Sequence, residues 1–182
     1  MAVFAAFIKM RRSLIDKCLL ILPTKQTIEV VNQLNKTGYL TGNAEFVDKD
    51  FLPAYKWMIE QMDKRLNHNG SYPIWVWTTK PNLQREGHFN KGTKAVCLTV
   101  EIPENQILYS DFSAWHCVLN NGFCPMTEEE DTLFDEGRLT ITKEQSWERI
   151  FDLAKLRSSE MWNNGDQVVQ GVTPIIQKEQ IV

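Results

Sequence analysis

Strand-forming and helix-forming segments do not alternate along this chain, and that order excludes a doubly wound α/β fold before any motif is considered. Residues 18–22 (C-L-L-I-L) form a short apolar run closed by Pro23 and read as a buried strand. Thr24 or Thr27 can cap the next segment, where Ile28, Val31 and Leu34 recur at helical spacing and Gly38 stands at the C′ position. Asp48 or Asp50 opens a second helix over 51–66, with Leu52, Tyr55, Met58, Ile59 and Met62 on one face. Lys64 and Arg65 occupy its last turn, where the helix dipole favours cations. Residues 72–78 then read as a strand with Ile74 and Val76 on one face and Trp75 and Trp77 on the other. A second clear strand, 95–102, is closed by Pro103, and 107–110 is a third short apolar run. Asp111 or Ser113 caps a helix carrying Trp115, Val118 and Leu119 that stops near Asn121-Gly122. A helix follows over 142–156, with a capping box at Thr142 and Gln145 and an inner face of Trp147, Ile150, Phe151 and Ala154. The last strand, 168–176, is bent or broken by Gly171 and Pro174. The order β-α-α-β-loop-β-β-α-α-β predicts an α+β domain with a largely antiparallel sheet flanked by helices.

Length and charge narrow the class further. With 182 residues the chain is one domain's worth, read as a single α+β domain over 18–182 preceded by an extension, 1–17. That extension begins M-A-V-F-A-A-F-I and carries Lys9, Arg11 and Arg12 after its apolar stretch, the reverse of a secretory signal. No run reaches the roughly 18 apolar residues that a membrane span needs, so no membrane partner is expected. The net charge of −3 and the pI near 5.7 do not favour a dedicated nucleic-acid binder. Cys18, Cys97, Cys117 and Cys124 are too few and too scattered for a disulfide scaffold and suit free thiols in a cytoplasmic protein. Cys117 and Cys124 with His116 make at most a partial zinc site, since the paired spacing and a fourth ligand are missing, and no metal is expected.

The phosphate-binding P-loop, the dinucleotide glycine motif, the zincin helix, the hydrolase elbow and the kinase signatures are all absent. Three less regular constellations remain. The sixteen-residue stretch 79–94 supplies Lys80, Arg85, His88, Lys91 and Lys94 beside the Trp75/Trp77 strand. Cations next to aromatic faces suit a nucleotide, with the base stacked and the phosphates paired, while two core tryptophans and a solvated loop are the simpler alternative. In the second, Asp111, His116 and Asn120 combine an acid with an imidazole, the pairing of acid–base chemistry, and the alternative is a cap plus locally satisfied side chains. Gln170, a polar side chain within V-V-Q-G-V, is the third, with Glu179 behind it. The acidic stretch 125–137, with six carboxylates between Glu128 and Glu136, reads as a solvated surface or a mobile insertion.

These residues carry a family resemblance. The segments L-x-x-x-G-x-L at 34–40, Y-x-W-M-x-x-Q-M at 55–62, Y-P-I-W-V-W at 72–77 and K-P-N-L at 80–83 form its first part. E-I-P at 101–103, L-Y-S-D-F-x-x-W-H-x-V-L-N at 108–120 and S-W-E-x-I-F at 146–151 complete it. From about Leu19 onward the chain resembles an uncharacterised bacterial family of domains of unknown function. More distantly, the opening strand, the helix ending in L-x-x-x-G-x-L and the closing V-Q-G-V-T-P-I-I-Q-K-E-Q-I are similar to ADP-ribosyltransferase-like folds, which implies a split sheet. In that superfamily the last strand carries a glutamate that orients a ribose hydroxyl and stabilises oxocarbenium charge. Gln170 occupies the comparable place, so another carboxylate, Glu101 or Glu179, would have to substitute. The resemblance implies an NAD-using enzyme that modifies a protein or nucleic acid. Lys80 and Arg85 would hold the pyrophosphate, Trp75 or Trp77 would stack on a ring, Gln170 would meet the ribose, and Asp111 and His116 would be candidates for acid–base duty. The alternative is a non-catalytic nucleotide-, nucleic-acid- or protein-binding module in a mobile-element, toxin or defence setting.

Overall fold

A computed structural model describes residues 19–66, 70–79, 95–163, 165 and 167–182. Along the chain these form β1 (Leu19–Thr27), α1 (Ile28–Thr37), β2 (Tyr39–Thr41), α2 (Leu52–Leu66), β3 (Ile74–Trp77), β4 (Ala95–Pro103) and β5 (Leu108–Asp111). Then come α3 (Phe112–Leu119), α4 (Glu128–Asp135), α5 (Lys143–Trp147), α6 (Leu153–Ser158), β6 (Val169–Thr173) and β7 (Ile175–Gln177). The pairs β1–β4, β2–β7 and β3–β6 are antiparallel, and the α+β class follows. The chain divides into two compact units, residues 1–108 with 170–182, and residues 109–169.

In the first unit β1 and β4 pair over nine residues, from Leu19↔Pro103 to Thr27↔Ala95. Pro23 therefore does not end the strand, as the sequence suggested; it sits inside the ladder opposite Thr99. The Thr99 carbonyl faces away from β1 and accepts the Val182 N–H at 2.9 Å, so Pro23 and Thr99 form a non-hydrogen-bonded pair and the missing proline N–H costs no bond between β1 and β4. α1 closes as expected: Gly38 takes φ +83° and donates its N–H to the Leu34 carbonyl at 2.8 Å. β2 follows at once and pairs with β7, Tyr39↔Gln177 through Thr41↔Ile175, burying Leu40 between two exposed neighbours. Asp48 caps a 3-10 turn, Lys49–Phe51, that leads into α2. The buried face of α2 is Ala54, Tyr55, Met58, Gln61 and Met62, with Leu52 and Ile59 only half-buried. Met58 and Met62 are wholly buried, each contributing about 1.5–3 kcal/mol. All four residues of β3 are buried, so both of its faces are covered. β6 pairs with it from Ile74↔Thr173 to Trp77↔Gln170. Gly171 sits within that ladder opposite Val76, and the break in the last strand falls at Pro174, where no N–H is present to continue pairing.

The second unit is mostly helical. Asp111 caps α3, and after it Asn121 takes φ 55° while the Gly122 N–H returns to the Cys117 carbonyl at 2.8 Å. The acidic stretch, expected as solvated surface, holds α4, an eight-residue helix capped by Thr127 with Glu128, Glu129, Glu130 and Asp131 in its first turn. Carboxylates there complement the positive end of the helix dipole, which turns a charge run into a helix start. Residues 142–156 are not one helix. The capping box of Thr142 and Gln145 opens α5, a 3-10 turn (Glu148–Phe151) follows, and Asp152, at ψ 75°, leaves helical geometry and caps α6. Aspartate competes for its own backbone N–H groups in this way, and here its Oδ1 accepts from Lys155 N–H at 3.0 Å.

Candidate functional site

Immediately after β2 the backbone of Gly42 runs against that of Tyr72 and Pro73. A Cβ at Gly42 would lie 2.7 Å from the Tyr72 carbonyl carbon and 2.8 Å from the Pro73 oxygen, so only glycine allows the approach. Asn43 then caps a 3-10 turn, Ala44–Phe46; its Oδ1 accepts from the Glu45 N–H at 3.0 Å and its Nδ2 donates to Glu45 Oε2 at 3.1 Å. The turn places Phe46 over a cleft of about 160 Å³ in the first unit, lined also by Thr41, Tyr55, Tyr72, Leu40 and Ile74. Phe46 stays 48% exposed, high for its type, so the mouth of the cleft is aromatic. Among the described lining residues none is charged.

Tyr55 reaches the cleft from the buried face of α2. Its hydroxyl accepts from Trp75 Nε1 at 3.2 Å, and the two rings meet edge to face with centroids 6.2 Å apart. Burial pushes the Tyr55 hydroxyl above its ordinary range, outweighing the Trp75 hydrogen bond that lowers it. It therefore stays neutral.

The other sequence-predicted residues are spread over the molecule. Trp75 and Trp77 are 2% and 9% exposed, and such burial leaves no open ring face for a stacked base; they occupy the core positions weighed beside that role. Gln170 is buried on β6 directly across from Trp77. Glu101 is half-buried on β4, and Glu179 is exposed on the turn Lys178–Gln180, bordering a second, wider depression with Gln106 and Gln177. Asp111 and His116 belong to the second unit and do not form an acid–imidazole pair. Asp111 is buried with its Oδ1 accepting from the Ala114 N–H at 2.9 Å. His116, exposed, donates from Nδ1 to the Phe112 carbonyl at 2.9 Å and packs edge-on against the Phe112 ring. Both are held by backbone groups of α3 itself, Asp111 at its first turn and His116 one turn on. Lys80, Arg85, His88, Lys91 and Lys94 lie outside the described residues.

The cleft itself was not read from the sequence. Its one local signal is Thr41-Gly42-Asn43, a turn tripeptide directly after the helix-ending Gly38. No helix among the described residues is long and apolar enough to cross a membrane.

Residues 21–182 match a family model described as a domain of unknown function, DUF3841. No curated protein and no solved structure matches the chain.

Proposed function

We propose, for a chain that belongs to the DUF3841 family, that the first unit is a nucleotide-binding module whose cleft takes the uncharged ring of its ligand. The carrying observation is the cleft's size together with its neutral aromatic lining. An apolar cavity of about 150 Å³ holds one benzene, whereas whole drug-sized ligands occupy about 300–1,000 Å³. At about 160 Å³ the cleft has room for one planar ring and not for a dinucleotide. Phe46 and Tyr72 offer apolar and stacking surface, and the Thr41 hydroxyl offers a hydrogen bond to an amide or an exocyclic amine. A nucleobase such as the adenine of NAD or ATP meets that description, and so does free nicotinamide; the ribose-linked nicotinamide of NAD is a pyridinium cation and does not. Phosphates need cations that the lining lacks; the proposal assigns them to Lys80 and Arg85 on chemistry alone.

ADP-ribosyl transfer to a protein or nucleic acid is the second reading, favoured by Gln170 standing on the strand where the resemblance calls for a glutamate. Glutamine can hydrogen-bond a ribose hydroxyl but brings no negative charge to a developing oxocarbenium ion. Binding leads because no carboxylate or imidazole lines the cleft among the described residues.

Equilibrium binding of NAD, nicotinamide and ATP to the wild-type chain and to Lys80→Ala/Arg85→Ala tests the assignment. NAD affinity should fall at least about tenfold in the double variant, a loss of about 1.4 kcal/mol, with nicotinamide binding and melting temperature kept. Unchanged NAD affinity would remove both residues from the site. Release of free nicotinamide from NAD by the wild-type chain would move the enzyme reading ahead.

A further inference from the structure

Stacking uses the faces of a ring and leaves its edge for hydrogen bonds. In the cleft of the first unit the stacking surface comes from Phe46 and Tyr72, so the polar side chains of the lining decide which ring edge is accepted. Some of these are already committed. Both ends of the Asn43 amide are taken by Glu45, its Oδ1 by the Glu45 N–H at 3.0 Å and its Nδ2 by Glu45 Oε2 at 3.1 Å. The Tyr55 hydroxyl accepts from Trp75 Nε1 at 3.2 Å inside the core. Among the described lining residues, the Gln33 amide and the hydroxyls of Thr41 and Tyr72 remain.

Gln33 belongs to α1 and lines the cleft together with Val30, three residues earlier on the same helix face. Its carbonyl is occupied one turn on by the Thr37 hydroxyl at 3.0 Å, while its side chain is exposed and makes no hydrogen bond to the described residues. A hydroxyl is a single point that turns to donate or to accept. A primary amide is planar and holds an acceptor and a donor side by side. Of the three uncommitted groups, only Gln33 can therefore read two adjacent positions of a ring edge at once.

We propose that Gln33 is the base-selecting residue of this cleft and that the purine it selects is adenine; the inference rests on the nucleotide-binding reading above. Gln33 Oε1 accepts from the N6 amine and its Nε2 donates to the ring nitrogen beside that amine, the bidentate pair that glutamine makes with adenine in a DNA groove. Neither partner is charged, which suits a cleft whose described lining carries no charge. A purine without the amine keeps its ring nitrogens and stacking faces but leaves Gln33 Oε1 without a donor. Guanine presents two neighbouring donors, N1–H and the N2 amine, which fit a carboxylate better than an amide.

The test is equilibrium binding of AMP, GMP and purine riboside monophosphate to the full chain as wild type, Gln33→Leu and Gln33→Glu; the shared phosphate cancels in each ratio of affinities. Wild type should bind AMP about tenfold more tightly than purine riboside monophosphate. Gln33→Leu puts a strong helix former at an exposed helical site, so it should keep the melting temperature and level the two affinities. Gln33→Glu should turn the preference from AMP to GMP. An AMP preference over the amine-free ligand that survives in Gln33→Leu, or an AMP preference over GMP that survives in Gln33→Glu, would overturn the role of Gln33. Phe46→Ala separates that failure from failure of the cleft. AMP binding that is lost in Phe46→Ala but indifferent to both Gln33 variants keeps the cleft and removes its selector. AMP bound equally by wild type and Phe46→Ala, or not bound by wild type, overturns both.

Discussion

Gly42 is the residue on which the cleft depends most. Its neighbours at the missing Cβ are carbonyl groups of Tyr72 and Pro73, which cannot rotate away as a side-chain tip would. Gly42→Ala should destabilise the protein by about 1–3 kcal/mol, read from the midpoint of chemical unfolding. Glu130 carries a pH signature. Burial alone would raise its carboxyl, but the Arg149 fork and the Met126 N–H outweigh burial and hold it below the usual range. A folded value below the unfolded one contributes stability that is present above the unfolded value, about 4.3, and is lost as pH falls through the folded value. Thermal melts should therefore show Glu130→Gln less stable than wild type at neutral pH, with the gap closing below about pH 4. A gap independent of pH would mean that the ion pair contributes nothing.

Elements were legible where a short-range rule acted alone. Gly38 ended α1 as its position required, Asp111 capped α3, and Thr142 with Gln145 formed the capping box that their spacing announced. Thr142→Ala should cost about 1 kcal/mol of stability by denaturant titration, since the Gln145 N–H loses the Thr142 hydroxyl that accepts it. Elements were misread where two rules competed. Pro23 signals a strand end, but a non-hydrogen-bonded position of the ladder tolerates it. The apolar period over 142–156 signals one helix, but Asp152 interrupts it by capping; the carboxylates of 128–131 start a helix that the charge run did not announce, although Glu128 and Glu129 are exposed as expected. β2 escaped altogether, because three residues carry too little alternation to be read.

For the whole molecule, class and family membership could be read from segment order and motifs, and the candidate site could not. The aromatic residues that stood out, Trp75 and Trp77, are the ones the core absorbed. The cleft instead joins residues from four separate stretches: Val30 with Gln33, Leu40 to Val47, Tyr55, and Tyr72 to Ile74. Only tertiary contact brings them together. Tyr55 looks, in sequence, like one more residue on an apolar helix face, and Phe46 like an unremarkable loop residue. Exposure separates Phe46 from that background. At 48% exposed it contributes little to the core, so Phe46→Ala should leave the melting temperature within a degree or so while removing one wall of the cleft. Tyr39, 44% exposed and not a lining residue, is its matched control.

The measurement that bears most directly on the ring-binding cleft is ligand-observed saturation-transfer NMR with NAD, ATP and a short single-stranded oligonucleotide, on wild type, Phe46→Ala and Tyr39→Ala. The account expects transfer to concentrate on the ring protons of NAD or ATP, to weaken severely in Phe46→Ala and to persist in Tyr39→Ala. Equal transfer in both variants, or binding of the oligonucleotide alone, would contradict it.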